Sequence, residues 1–106
     1  MNFYDYTTPK SGEDFKSFFK NESIDIVRVV SSSDLEDKLY IQDTDEFVLL
    51  LEGEATLDIN GEIVTLKKGD NLFIKAKVPH RVLDTKAGTL WLAVYIKTTS
   101  STIASH

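Results

Sequence analysis

The chain has 106 residues, 42% hydrophobic and 27% charged, which is typical of one globular domain. It contains no cysteine, so disulfides, thiolate nucleophiles and cysteine-based zinc or iron–sulfur sites are excluded. A net charge of −5 with scattered lysines and arginines predicts no binding to nucleic acid or to an anionic membrane. No apolar run approaches the roughly 18 residues of a membrane-spanning helix, and the first residues lack the pattern of a secretory signal. We therefore expect a cytoplasmic protein.

Residues 1–22 are predicted to form an aromatic N-terminal arm followed by one short helix. Ser11 is typical of a helix N-cap, and an acidic residue follows it at the third helical position. Three aromatic residues then recur at the spacing i, i+3, i+4, namely Phe15, Phe18 and Phe19. This spacing indicates one apolar helical face. We expect a helix at about residues 12–20 whose phenylalanines pack on a sheet.

Eight short runs between residues 23 and 97 have the composition of β-strands and are separated by Gly, Asn and Asp turn signals. They are 23–30, 39–42, 47–51, 56–59, 63–66, 72–74, 82–84 and 89–97. Asn60-Gly61 is the strongest turn signal, because both residues tolerate the positive φ that a two-residue hairpin needs. The pattern predicts one all-β domain over residues 1–106, with its sheets at 23–97 and a flexible tail at 98–106.

The last run, Thr89–Lys97, is apolar on both of its faces. A strand of this kind has to be covered on both sides. The cover is the opposite sheet, the N-terminal arm or a partner subunit. Because closed two-fold dimers are the commonest oligomers, we expect a homodimer.

Glycine, acidic and histidine residues of the central stretch have the spacing of two known motifs. Glu46-x6-Gly53 is followed by Gly69 and then by Pro79-His80. This pattern resembles the cupin superfamily, whose motifs read His-x-His-x(3,4)-Glu-x6-Gly and Gly-x5-Pro-x-Gly-x2-His-x3-Asn. The resemblance covers about residues 39–97. It implies a cupin-type β-barrel, which is also called a double-stranded β-helix or jelly roll.

The resemblance also implies a site in the mouth of this barrel. By position, Glu46 corresponds to the motif glutamate and His80 to the second-motif histidine. Tyr40 and Gln42 stand where the His-x-His pair would be. The other substituted motif positions are Lys75, Lys77 and Asp84. We expect Tyr40, Gln42, Glu46 and His80 to face one another inside the barrel mouth.

Three functions remain open for such a site. In the first, Gln42, Glu46 and His80 hold a divalent metal ion, for which zinc or nickel suits the imidazole, and the ion acts on or binds a small polar molecule. In the second, the same residues and Tyr40 bind a small polar or sugar-like ligand without metal. In the third, the domain is a dimerisation unit with a vestigial pocket. A three-His-one-Glu centre is excluded, because the chain has only two histidines, His80 and the terminal His106.

Overall fold

The computed structural model describes residues 1–98, which form eight strands in two antiparallel sheets and contain no helix. The strands are β1 (Glu13–Lys20), β2 (Ile24–Ser31), β3 (Thr44–Glu52), β4 (Glu54–Ile59), β5 (Glu62–Lys67), β6 (Asn71–Ile74), β7 (His80–Thr85) and β8 (Thr89–Lys97). The larger sheet has the order β1-β2-β8-β3-β6 and the smaller one β5-β4-β7. The all-β prediction is confirmed. The predicted tail, 98–106, lies outside the described residues except for Thr98.

The core lies between the two sheets, because the inward side chains of the strands are apolar. In β3, Val48 and Leu50 are buried and alternate with the partly exposed Phe47 and Leu49, as the two-residue period of a strand requires. Both sheets contribute to the buried cluster of Val27, Val29, Val48, Leu50, Ala55, Leu57, Leu66, Trp91 and Ala93. Each larger side chain buried in this way contributes about 1.5–3 kcal/mol. A helix long and apolar enough to cross a membrane is absent from the described part of the chain.

A two-residue turn at Asn60-Gly61 joins β4 to β5. Both residues have positive φ, 51° at Asn60 and 93° at Gly61. The Asp58 carboxylate accepts a hydrogen bond of 2.8 Å from the Gly61 amide. The hairpin predicted from this dipeptide is confirmed.

The predicted helix at residues 12–20 is wrong, because this segment is strand β1 at the edge of the larger sheet. β1 pairs with β2 from Glu13, which lies opposite Ser31. The register shifts between Ser17 and Phe19. Such a bulge inserts one residue into a strand and breaks its alternation, which explains why the phenylalanine spacing resembles a helical period.

The phenylalanines of β1 are more exposed than predicted. Phe15 is 55% and Phe19 52% exposed. Phe18 packs instead against the N-terminal arm, with its ring centroid 4.9 Å from that of Phe3. The Nη1 atom of Arg28 donates a hydrogen bond of 3.1 Å to the Phe3 carbonyl. The arm therefore lies on the outer face of the larger sheet, beside β1 and β2.

Residues 39–42 do not form the predicted strand. Within the described chain, Tyr40 makes an isolated antiparallel bridge to His80, with N–O distances of 2.8 and 3.0 Å. Leu39 and Ile41 are exposed. Without burial for its apolar side chains, this segment gains too little to extend the pairing.

The outer face of the larger sheet carries an apolar row that crosses all five strands. The strand registers place Phe19, Ile26, Val94, Phe47 and Phe73 side by side. We call these five residues the outer row. β8 is apolar on both faces because one face contacts the core and the other forms the centre of the outer row.

Candidate functional site

A cavity of about 60 Å³ lies between the two sheets. Its polar lining consists of Glu13, Tyr40, Gln42, Glu46, His80 and Tyr95. A wider recess of about 380 Å³ adjoins it, and both are lined by Glu13, Phe15, Tyr40 and Val82. Since roughly 10–15 Å³ of such volume is enough for one water molecule, the inner cavity has room for a group of only a few non-hydrogen atoms. The four residues predicted to face the barrel mouth all line this cavity.

His80 and Glu46 face each other across the cavity. The Nε2 atom of His80 lies 3.8 Å from Oε1 of Glu46, and the two side chains are only 7% and 10% exposed. The Nδ1 atom of His80 lies 3.0 Å from the Val78 carbonyl oxygen. Because a carbonyl oxygen only accepts, Nδ1 must carry the proton of this hydrogen bond. In the neutral ring, Nε2 is therefore free to accept a proton or a hydrogen bond from a ligand.

Tyr40 lies against His80 at the entrance. The backbone bridge between the two residues holds their rings in a stack, with centroids 5.7 Å apart and planes inclined by 20°. The Nζ atom of Lys38 lies 5.0 Å from the centroid of the Tyr40 ring. The Lys38 ammonium group, the Tyr40 ring and the His80 imidazole therefore lie next to one another at this edge of the cavity.

Gln42 also lines the cavity, and its backbone positions the segment that leads to His80. The Gln42 carbonyl oxygen accepts a hydrogen bond of 2.7 Å from the Lys77 amide. Lys77 has a φ of 71°, a left-handed conformation that glycine adopts more readily than other residues. Lys77 stands at the position of a motif glycine and has a backbone conformation that glycine favours.

Glu13 and Tyr95 line the cavity but were not among the predicted site residues. Glu13 was assigned to a helix, and Tyr95 to an apolar strand. The Glu13 carboxylate accepts a hydrogen bond from Ser31 Oγ, which accepts one of 2.9 Å from Trp91 Nε1. Residues two apart in a strand lie on the same face, so a strand assignment would have placed Glu13 beside Phe15 on the inner face. This spacing is the signal that could have identified Glu13.

Burial changes the acid–base properties of these residues. It raises the pKa of Glu46 from 4.5 to about 7; the Glu13 carboxylate adds to the increase and a hydrogen bond with Tyr95 opposes it. Burial likewise raises the pKa of Glu13, against the hydrogen bond from Ser31. The pKa values of Tyr40 and Tyr95 are raised by burial and by the two carboxylates. Both tyrosines therefore remain neutral donors at pH 7, whereas Glu46 exchanges its proton near that pH.

The donor atoms of the cavity do not fit a resident zinc or nickel ion. Zinc sites in proteins usually have three or four protein ligands. Residues 1–98 contain no group of three His, Cys, Asp or Glu side chains arranged to hold a metal. His80 and Glu46 supply two donors, and Gln42 adds only a neutral amide oxygen, which is a weak ligand for these metals.

Two facing antiparallel sheets with a cavity between them define a jelly-roll protein. The model of the cupin domain family matches residues 34–95, which is more than half of the chain. The chain therefore belongs to the cupin family, and the resemblance of its motifs is confirmed. The comparison with curated proteins gives no match.

Several solved structures are similar over most of the chain. A "putative mannose-6-phosphate isomerase" from Ralstonia eutropha has a TM-score of 0.83 at 25% identity, over 92% of this chain and 97% of that one. An RmlC-like cupin from Shewanella frigidimarina has a TM-score of 0.75 at 16% identity, over 92% and 89% of the two chains. KdgF from Halomonas sp. has a TM-score of 0.76 at 13% identity, over 92% and 94%. The last two show the fold alone.

Proposed function

We propose that this cupin binds a small polar molecule in the cavity between its sheets and exchanges protons with it. The ligand-binding residues are Tyr40, Gln42, Glu46 and His80. The observation that supports this most directly is the buried Glu46 carboxyl group, with a pKa of about 7, at 3.8 Å from His80 Nε2. The Nε2 atom of His80 has no hydrogen-bond partner among residues 1–98, and a polar group without a partner is costly to bury. A ligand that bonds to both groups would compensate for that cost.

The volume of the site supports a ligand that enters with one polar end. The inner cavity measures about 60 Å³ and the adjoining recess about 380 Å³, whereas pockets for drug-sized ligands measure about 300–1,000 Å³. We infer that a head group of a few atoms reaches Glu46 and His80. The remainder of the molecule occupies the recess beside Phe15.

Proton transfer is the reaction class that Glu46 and His80 support. A general acid or base works best when its pKa lies near the working pH, as that of Glu46 does. The name of the Ralstonia structure suggests a sugar phosphate as substrate. No lysine or arginine of the described chain lines the inner cavity, and Lys38 is the one basic residue that lines the recess. The charges therefore support a ligand without a phosphate group.

A variant that keeps the structural hydrogen bond of His80 tests this proposal. The side-chain amide of His80→Asn can still donate to the Val78 carbonyl, but it lacks the Nε2 atom. We expect ligand-detected NMR with a library of small polar compounds to show binders for the unchanged protein. Their affinity should fall at least about tenfold in His80→Asn. The control is Arg81→Ala, because Arg81 pairs with Asp37 and is absent from the cavity lining.

Two results would contradict the proposal. If His80→Asn keeps the affinity but melts at a much lower temperature, His80 is a structural residue. If elemental analysis of the untagged protein finds one zinc or nickel ion per chain, and Glu46→Gln loses it, the metal site on Gln42, Glu46 and His80 is the better assignment. We expect less than one equivalent of either metal.

We also propose that the protein is a homodimer that buries the outer row. Apolar patches of this kind on a protein surface commonly mark interfaces, and Phe73 at the end of the row is 50% exposed. Light scattering at micromolar concentration should give twice the chain mass. Phe73→Asp should give a monomer, whereas Ile63→Asp, on the smaller sheet and 60% exposed, should remain dimeric. A monomeric mass for the unchanged protein would exclude the dimer.

A further inference from the structure

We propose that the cavity selects a small cationic ligand, a primary amine whose ammonium group lies between Glu13 and Glu46. This inference rests on the proposed function, because it names the ligand class of the same site. Glu13 comes from β1 and Glu46 from β3, so the pair exists only in the folded larger sheet. Neither Lys nor Arg of the described chain lines the inner cavity. An anionic ligand would therefore meet two carboxyl groups with no opposite charge beside them.

The His80 side chain next to the pair makes only part of its possible hydrogen bonds, which points to a missing partner at Nε2. Glu46 is 7% and His80 6% exposed. Their nearest atoms are 3.8 Å apart, which is too far for a hydrogen bond. Among residues 1–98, the structure gives His80 one side-chain hydrogen bond, that of Nδ1 to Val78. An ammonium group has three donors and can bond to acceptors on several walls of the cavity.

Aromatic rings form part of the wall, as is common where proteins bind ammonium groups. The cavity is lined by Phe15, Tyr40, Trp91 and Tyr95. One cation already uses this surface, since Lys38 Nζ lies 5.0 Å from the centroid of the Tyr40 ring. An ammonium group therefore already lies close to the ring of a residue that lines both the recess and the inner cavity.

The acid–base state of the pair makes the binding of a cation pH-dependent. The titratable groups that face Glu46 are Glu13 from β1, Tyr40 from the bridge, His80 from β7 and Tyr95 from β8. An opposite charge nearby favours the ionised form of a carboxyl group. The ammonium ligand therefore binds best when Glu46 is ionised, above its pKa of about 7. Affinity should fall as the pH decreases from 8 to 5, as long as the amine itself remains protonated.

The experiment compares three molecules of similar size and different charge: propanolamine, propanediol and lactate. Trp91 is the only tryptophan of the chain and lines the cavity, so its fluorescence reports occupancy directly. We expect propanolamine to bind at pH 8 at least about tenfold more tightly than propanediol. Lactate should give no saturable signal.

Three variants assign the effect to the carboxylates. Glu13→Gln and Glu46→Gln each remove one charge while keeping an acceptor oxygen, and each should weaken propanolamine binding by about tenfold or more. Glu62→Gln changes the net charge equally on an exposed part of β5 and should bind like the unchanged protein. Equal affinity for propanediol and propanolamine, or tighter binding of lactate, would overturn the amine assignment but leave the proposed function intact. If neither these molecules nor any library compound binds, both the amine assignment and the proposed function are wrong.

Discussion

Replacement of Gly53 by alanine is expected to destabilise the protein by about 3–5 kcal/mol, enough to abolish most of the stability of a small domain. Gly53 joins β3 to β4 with a φ of 93°. A Cβ atom there would lie 2.7 Å from Thr89 Cα and 2.3 Å from Thr89 Oγ1. Thr89 is fully buried and its backbone belongs to β8, so it cannot move aside without disturbing the central strand of the larger sheet.

Gly61→Ala separates the steric clash from the backbone strain. Gly61 has the same φ of 93°, but a Cβ atom added there meets nothing within 4 Å. Gly61→Ala should therefore destabilise the protein only through the strained backbone conformation, by about 1–2 kcal/mol. Urea unfolding of the two variants measures the difference. Equal destabilisation by both would show that contact with Thr89 contributes nothing.

Glu46→Gln is expected to stabilise the protein at alkaline pH while weakening ligand binding. The folded-state pKa of Glu46 is raised from 4.5 to about 7. Between these two values the folded chain binds more protons than the unfolded chain, so stability decreases as the pH rises. A difference of this size corresponds to about 3 kcal/mol, lost once the pH exceeds 7. Glutamine has no proton to lose and avoids this penalty.

Urea unfolding at several pH values between 4 and 9 measures this effect. The two proteins should have similar stability at pH 4, and Glu46→Gln should be more stable by about 3 kcal/mol at pH 9. Glu13 acts in the same direction, because burial also raises its pKa. The stability of Glu46→Gln should therefore still decrease as the pH rises, but by less than that of the unchanged protein. Glu62→Gln, on the exposed side of β5, is the matched control. If the stability difference between the unchanged protein and Glu46→Gln does not change with pH, burial does not raise the pKa of Glu46.

Features set by local backbone preference were predictable from the sequence. The hairpin at Asn60-Gly61 follows from two residues that tolerate positive φ. Short apolar runs bounded by turn residues indicated the strands that carry the core, as in β3 and β8. The motif spacing identified the cupin fold. The turn and strand signals act over a few residues, and the motif spacing is a property of the sequence itself, so all three could be interpreted without the structure.

Only the site residues that stand at motif positions were predictable. The motif pointed to Glu46 and His80, and the structure brings their side chains to 3.8 Å. Lys77 shows why motif positions remain informative after substitution, since it has the left-handed backbone that glycine adopts readily. Glu13 lies before the region of resemblance, and no motif could assign it to the site.

Only the tertiary structure determined the conformation of residues 13–20. Their phenylalanine spacing satisfies a helical period locally, but β2 offers a strand edge with which this segment pairs over its whole length. Pairing along a sheet edge satisfies the backbone hydrogen bonds of the segment, and a bulge absorbs the spacing that does not fit. The same pairing turns Glu13 inward, toward Ser31 and the cavity. Local pattern determined the strands of the core, whereas long-range pairing determined that residues 13–20 form a strand and that Glu13 lines the cavity.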